Sequence, residues 1–324
     1  MIAAVLAIII LSLAVVSAVL ATRLRDERAA RAEAQGELDR RDAAEAERLA
    51  QEEAERIRNA IPPEKAKPAD ERSAPEIIEE NNVVAHALGA VDGIAGLNCL
   101  EGFRESYAAG TRVFEADLRT TIDGHVVLRH DWLSEIQEGI EITSIPTLEE
   151  FLSKPIMDKY TPLSFRDLLR LMEQYPDICV ITDTKFTEAE SVTLQFRAML
   201  DDAHALGLSY LFDRIVVQIY SPEHFTVVDG VHHFPHYIYT LYQDYFGRDE
   251  DSFRNKCIFC QEHGIMGLTL NEELWDADYA PISNWRKILV FVHTVDDADQ
   301  ARRLLRNGVH AVYSDTLHQG GLDE

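Results

Sequence analysis

The chain has 324 residues, 56 acidic against 31 basic side chains, and a formal net charge of -25. That balance excludes nucleic acid as the main partner, because gripping a phosphate backbone requires clustered cations. Four cysteines in a chain this long exclude a disulfide-stapled miniprotein, while the length admits two average domains or one large α/β domain.

Residues 1–22 read as a transmembrane anchor. "IAAVLAIIILSLAVVSAVLA" (2–21) is a charge-free apolar run long enough to cross a bilayer. It exceeds the h-region of a signal peptide, and no positive n-region precedes it, so a retained anchor is expected. Arg23, Arg25 and Arg28 lie just past the span, and the positive-inside rule taken literally would keep the C-terminal part in the cytoplasm. Residues 23–60 are dominated by Ala, Glu and Arg with many opposite charges at i,i+4 spacing, which predicts a charged helical stalk. Leu38, Leu49 and Ile57 keep no steady heptad, so a coiled coil is not indicated. Residues 61–79, opening with "IPPEKAKPADERSAPE", read as a Pro-rich linker.

From residue 80 to 324 short β-branched runs alternate with amphipathic helical stretches. The runs are "VVAHAL" (83–88), "VFEADL" (113–118), "VVLRH" (126–130), "ICVIT" (178–182) and "IVVQIY" (215–220). They continue with "YIYTLY" (237–242), "IMGLTL" (265–270), "ILVFVH" (288–293) and "AVYSD" (311–315). This alternation predicts a parallel sheet covered by helices, and the span suits an α/β (β/α)8 TIM barrel. Nine candidate strands compete for eight places, so one is surplus. A doubly wound open sheet is the competitor, weakened because no glycine-rich phosphate loop follows the first strand.

The polar residues collect at strand ends. His86 sits near the end of the first run, Glu115 and Asp117 end the second, His130 ends the third, and Asp183 and Lys185 follow the fourth. In a barrel those ends converge on one mouth, where such charge persists only if paired or metal-bound. Three carboxylates without a thiolate suit one divalent cation, Mg²⁺ or Ca²⁺, rather than zinc. Two histidines can serve as general base and general acid, and a cation with a lysine can neutralise charge growing on a phosphoryl group. Together they point to metal-assisted phosphodiester cleavage.

These residues bring in a family. Residues 83–315 resemble the glycerophosphodiester phosphodiesterases among the phosphatidylinositol-phosphodiesterase-like TIM barrels. The resemblance rests on "VVAHALGAVDG", "FEADLRTTIDGHVVLRHD", "VITDTK", "VVQIYS", "VHTVDD" and "AVYSD". It implies that His86 and His130 form the acid–base pair, that Glu115, Asp117 and Asp183 hold the metal, and that Lys185 contacts the phosphate in a catalytic role. Asn98 is kept from a P-E-N-T stretch without its preceding Glu, and is expected to bind substrate. Ala87 stands where the family usually has Arg, and Asp183 where it usually has Glu. The Asp-x-Lys pattern looks like the related sphingomyelinase D branch.

The expected substrate is a glycerophosphodiester, a phospholipid head group or a phosphate-linked envelope polymer, with the membrane as a partner through the N-terminal helix. The catalytic domain is expected outside the cytoplasm, although the flanking arginines argue the other way; a misplaced start codon hiding a basic n-region would reverse their argument. A barrel without catalysis, binding phosphate or lipid, is the alternative. Cys257 and Cys260 form a single CxxC, read as structural or incidental. His232, His233 and His236 read as surface or rim residues rather than a second metal site, and Trp275 as either a packing or a mouth-lining residue.

Overall fold

The computed structural model describes residues 72–132, 144–242 and 247–322. All of these belong to the second of two compact units, residues 63–324. The expected anchor (1–22), the stalk (23–60) and the first part of the linker lie outside the described residues. Among the described residues no helix is long and apolar enough to cross a membrane.

Nine strands form in the order foreseen: β1 Val83–Ala85, β2 Val113–Thr120, β3 Val126–Leu128, β4 Cys179–Asp183, β5 Ile215–Ile219, β6 Tyr237–Thr240, β7 Gly267–Asn271, β8 Leu289–His293 and β9 Ala311–Ser314. Eight of them are parallel and close on themselves, because β1 pairs with both β2 and β9. The fold is therefore a TIM barrel. The surplus strand is β3. It pairs antiparallel with β2, Leu118 opposite Leu128 and Thr120 opposite Val126. A parallel neighbour needs a crossover of a dozen or more residues, and only Thr121–His125 separate these two strands. They can only form a hairpin, turned at Gly124 with φ +87°. The barrel neighbour of β2 is instead β4, with Asp117 opposite Asp183. His130 thus follows a hairpin arm and does not end a barrel strand.

Nine helices separate the strands among the described residues: α1 Ala74–Glu79, α2 Leu100–Ala108, α3 Leu148–Ser153, α4 Phe165–Gln174, α5 Ala189–Leu206, α6 Pro222–Val231, α7 Glu250–Glu262, α8 Ala280–Arg286 and α9 Ala298–Arg306. The first of them corrects the linker. Residues 74–79 are helical because Ser73 caps α1 and Glu76 accepts from both its N–H (2.8 Å) and its hydroxyl (2.7 Å). Ala74, Ile77 and Ile78 are buried in one cluster with Val84, Val113, Cys179 and Ala311, near the starts of four barrel strands. So α1 closes the N-terminal end of the barrel, and each buried isoleucine contributes roughly 1.5–3 kcal/mol. The four cysteines are buried free thiols.

Candidate active site

Strand alternation sets the first group. Residues two apart on β2 face the same way, which sends Glu115 and Asp117 into the barrel rather than toward the helices. Their β4 neighbour Asp183 joins them, and one oxygen from each of the three lies within 4.8 Å of the others. All three are buried. The Lys185 ammonium bridges two of them, 2.7 Å from Asp117 Oδ1 and in an ion pair with Asp183. Tyr220 donates its hydroxyl to Asp183 Oδ1 and accepts from the Lys185 N–H at 3.0 Å.

The electrostatics favour a bound cation. With all three carboxylates ionised, they and the one ammonium would carry a formal charge of about -2 in a buried place, which burial resists unless a cation answers it. Burial and then the Asp117 charge push Glu115 up to about 8. Its Oε1 is buried and has no hydrogen-bond partner. For Asp117, burial works the other way from its partners, and Lys185 and Asn98 prevail, holding it below its ordinary value. An all-oxygen donor set with one unsatisfied oxygen fits a hard divalent ion.

Next to this cluster stand two histidine–aspartate pairs. His86 follows β1, its Nδ1 2.8 Å from Asp315 Oδ1 and its Nε2 3.9 Å from Glu115 Oε2. Burial opposes its protonation, but the Asp315 hydrogen bond and the Glu115 and Asp117 charges outweigh this and raise it to about 9. His130, after β3, holds Nδ1 2.8 Å from Asp131 Oδ2. In both, the Nδ1 partner leaves Nε2 for chemistry. The backbone after β1 is tuned to the same end. Ala87 adopts a left-handed conformation (φ 48°) and turns its N–H onto Glu115 Oε2 at 2.7 Å. That turn sits close against α2, where a Cβ on Gly102 would lie 2.6 Å from the Gly89 carbonyl oxygen.

His86, Glu115, His130, Asp183 and Lys185 line one cleft of about 470 Å³. Its remaining walls are Arg119, Gln218, Thr240, Tyr242, Thr269, His293 and Tyr313. Asn98 is placed differently from the expectation. It is fully buried behind Asp117, donating Nδ2–H to Oδ2 at 2.7 Å and accepting from the Asp117 N–H at 3.0 Å. Both ends of its amide are committed to that clamp, so it orients a carboxylate instead of facing the cleft.

The family model of the glycerophosphoryl diester phosphodiesterase family matches residues 95–319. The chain belongs to this family. No curated protein matches the chain by sequence. Solved structures share its fold. An Oleispira antarctica phosphodiesterase, solved in complex with the product sn-glycerol-3-phosphate, has a TM-score of 0.63 at 16% identity, covering 78% of this chain and 100% of its own. A Parabacteroides distasonis glycerophosphodiester phosphodiesterase has a TM-score of 0.58 at 17% identity, covering 72% and 92%. A glycerophosphodiester phosphodiesterase from Agrobacterium tumefaciens has a TM-score of 0.55 at 14% identity, covering 73% and 96%.

As a member of the glycerophosphoryl diester phosphodiesterase family the chain is a phosphoric diester hydrolase, and its buried acidic cluster suits a divalent metal. Sequence reasoning missed Asp131, Asp315, Arg119, Tyr220 and His293. His293 ends β8, and burial, then the His86 charge, lower it to about 4. Among the other candidates, Trp275 packs against Phe253 and Tyr279 at 6.0 and 6.1 Å and does not line the cleft. His233 pairs with Asp229 (2.6 Å), His232 lies against Phe212 and Phe234, and among the described residues they form no metal-holding group.

Proposed function

We propose that this family member hydrolyses a glycerophosphodiester or a related lipid- or envelope-derived phosphodiester, with His86 and His130 as the acid–base pair. The single observation that carries the reading is the pair of histidine–aspartate dyads on one cleft beside a buried three-carboxylate cluster. Asp315 and Asp131 each hold an imidazole by Nδ1, so both Nε2 atoms remain for proton transfer. One histidine removes the proton of the attacking hydroxyl, and the other protonates the departing alkoxide. The attacking group is either a water or a neighbouring hydroxyl of the substrate, the latter giving a cyclic phosphate.

Glu115, Asp117 and Asp183 would hold one Mg²⁺ or Ca²⁺. Such an ion supplies charge neutralisation at the phosphoryl oxygens. Asn98 and Tyr220 fix the carboxylates that would bind it, which supports a preformed site. Lys185 adds a positive charge that its neighbours keep protonated, since Asp183 and Asp117 together outweigh its burial. A membrane tether through residues 1–22 remains part of this proposal, supported by the apolar run, and an extracytoplasmic domain remains part of it against the positive-inside argument from Arg23, Arg25 and Arg28.

A panel of phosphodiesters with the full chain, products identified by mass spectrometry, tests the reading. Turnover should require Mg²⁺ or Ca²⁺ and disappear in His130→Ala. Turnover that survives EDTA together with loss of Glu115 would remove the metal assignment. Protease accessibility in intact cells tests the side of the membrane.

A further inference from the structure

Three charged residues of β2, not two, face the barrel interior in register. Glu115 and Asp117 are followed two positions later by Arg119, about 6.6 Å further toward the mouth. Arg119 lines the same cleft as the two dyads. We propose that Arg119 grips the non-bridging oxygens of the phosphoryl group in this cleft. The proposal rests on the phosphodiesterase reading above and names a substrate contact to which the motifs assign no role.

The charges around the cleft single this residue out. Lys185 is committed to Asp117 and Asp183, His86 to Asp315 and Glu115, and His130 to Asp131. Arg119 has no carboxylate partner among the described residues. Its hydrogen bonds go to neutral carbonyls, from Nε to His130 O at 2.9 Å and from Nη1 to Lys185 O at 3.4 Å. Phe186 lies against the guanidinium, 5.5 Å from its carbon to the ring centre. A guanidinium has five N–H donors, so about three remain for a ligand. Among the described residues it is the cation of the cleft whose charge no protein carboxylate answers.

The two carbonyls also fix where the fork stands. One belongs to an acid–base histidine and the other to the lysine on the acidic cluster, so the guanidinium is tied to both sides of the reaction. A tetrahedral monoanion that reaches a divalent ion through one oxygen can offer another to the planar fork. Lysine, a point charge on a flexible stem, could not make both carbonyl contacts and grip the anion in the same geometry.

The test uses the full chain, inorganic phosphate as probe, and the variants Arg119→Gln and Arg119→Lys. Phosphate affinity is measured by calorimetry in the presence of Mg²⁺, and diester turnover is measured separately. The expected result is at least tenfold weaker phosphate binding and a matching rise in KM for Arg119→Gln, with partial recovery in Arg119→Lys. The Mg²⁺-induced rise in melting temperature should be unchanged in both, which shows that they fold and load. Phosphate affinity within twofold of wild type, with a fall confined to kcat, would overturn the proposal and leave Arg119 a brace between His130 and Lys185. If wild type turns over no diester, the functional reading fails, yet the phosphate comparison still decides the role of Arg119.

Discussion

His86 and Asp315 meet at 2.8 Å although 229 positions separate them, because each directly follows a residue of the seam that closes the barrel. Ala85 of β1 is the register partner of Ser314 of β9. The closure of the sheet therefore places the aspartate on the imidazole. Replacing Asp315 by Asn removes the charge while keeping an acceptor, and replacing it by Ala leaves Nδ1 unpaired. Asp315→Ala should lower kcat roughly 10–100-fold with little change in KM. The limb of the pH–rate profile belonging to His86 should move to lower pH, since this hydrogen bond favours the protonated ring. Steady-state kinetics from pH 5 to 10 check both. An unchanged profile would show the dyad to be a packing contact only.

Glu115 gives a prediction with opposite signs in two conditions. Its buried carboxylate sits beside Asp117 and Asp183, and its folded pKa of about 8 lies above the ordinary value of 4.5. A carboxylate raised in this way costs stability as the pH rises from the unfolded value toward the folded one. In EDTA at pH 8, Glu115→Gln should therefore melt at a higher temperature than wild type. With 5 mM Mg²⁺ the order should reverse, because a ligand that binds only the folded state stabilises it and the variant has lost a donor. Differential scanning calorimetry in the two buffers reads out both signs.

Much of this site was legible in the sequence, and the residues missed share a physical reason. His86, Glu115, Asp117, Asp183 and Lys185 announce themselves, since each stands in or just after a β-branched run and a parallel barrel gathers such ends. His130 was found for its identity but put on the wrong element. The five-residue gap before β3 already ruled out a barrel strand there, a matter of connection length and not of composition. Helix α1 was hidden by its proline, although Ser73 and Glu76 spell a capping box ahead of two isoleucines. Asp315 and Tyr220 act through strand register and side-chain reach, which no local pattern encodes. Arg119 did carry a signal, the third member of the E-x-D-x-R alternation.

Asn98 should report on the carboxylate it clamps. Its left-handed backbone (φ 50°) and its two hydrogen bonds to Asp117 form a fixed support. Asn98→Ala leaves a buried carboxylate oxygen and a buried backbone N–H unpaired, a loss of about 2–3 kcal/mol of stability. Divalent affinity should fall roughly 10–100-fold, as expected when a support behind a metal ligand is removed. Calorimetric titration with Mg²⁺ measures the second effect and denaturant unfolding the first. Asn98→Asp should be worse than Asn98→Ala for stability, because it sets a fourth carboxylate against Asp117.

His224 provides an acid-stability test, because burial by itself accounts for its shift. It is 4% exposed, stacks on Tyr220 at 4.8 Å between ring centres, and accepts the Tyr220 N–H at Nδ1 over 3.2 Å. Burial lowers it from 6.5 to about 4, so the ring is neutral in the folded protein at physiological pH. The unfolded chain takes up a proton between those two values while the folded one does not. The contribution is thus complete above pH 6.5 and is lost as the pH falls toward 4, up to about 3 kcal/mol. His224→Gln removes the titration, so its melting temperature should fall less steeply with acid than that of wild type. Thermal unfolding at pH 7.5, 6.0 and 5.0 in EDTA measures the two slopes, and parallel slopes would mean that the folded protein protonates His224 freely.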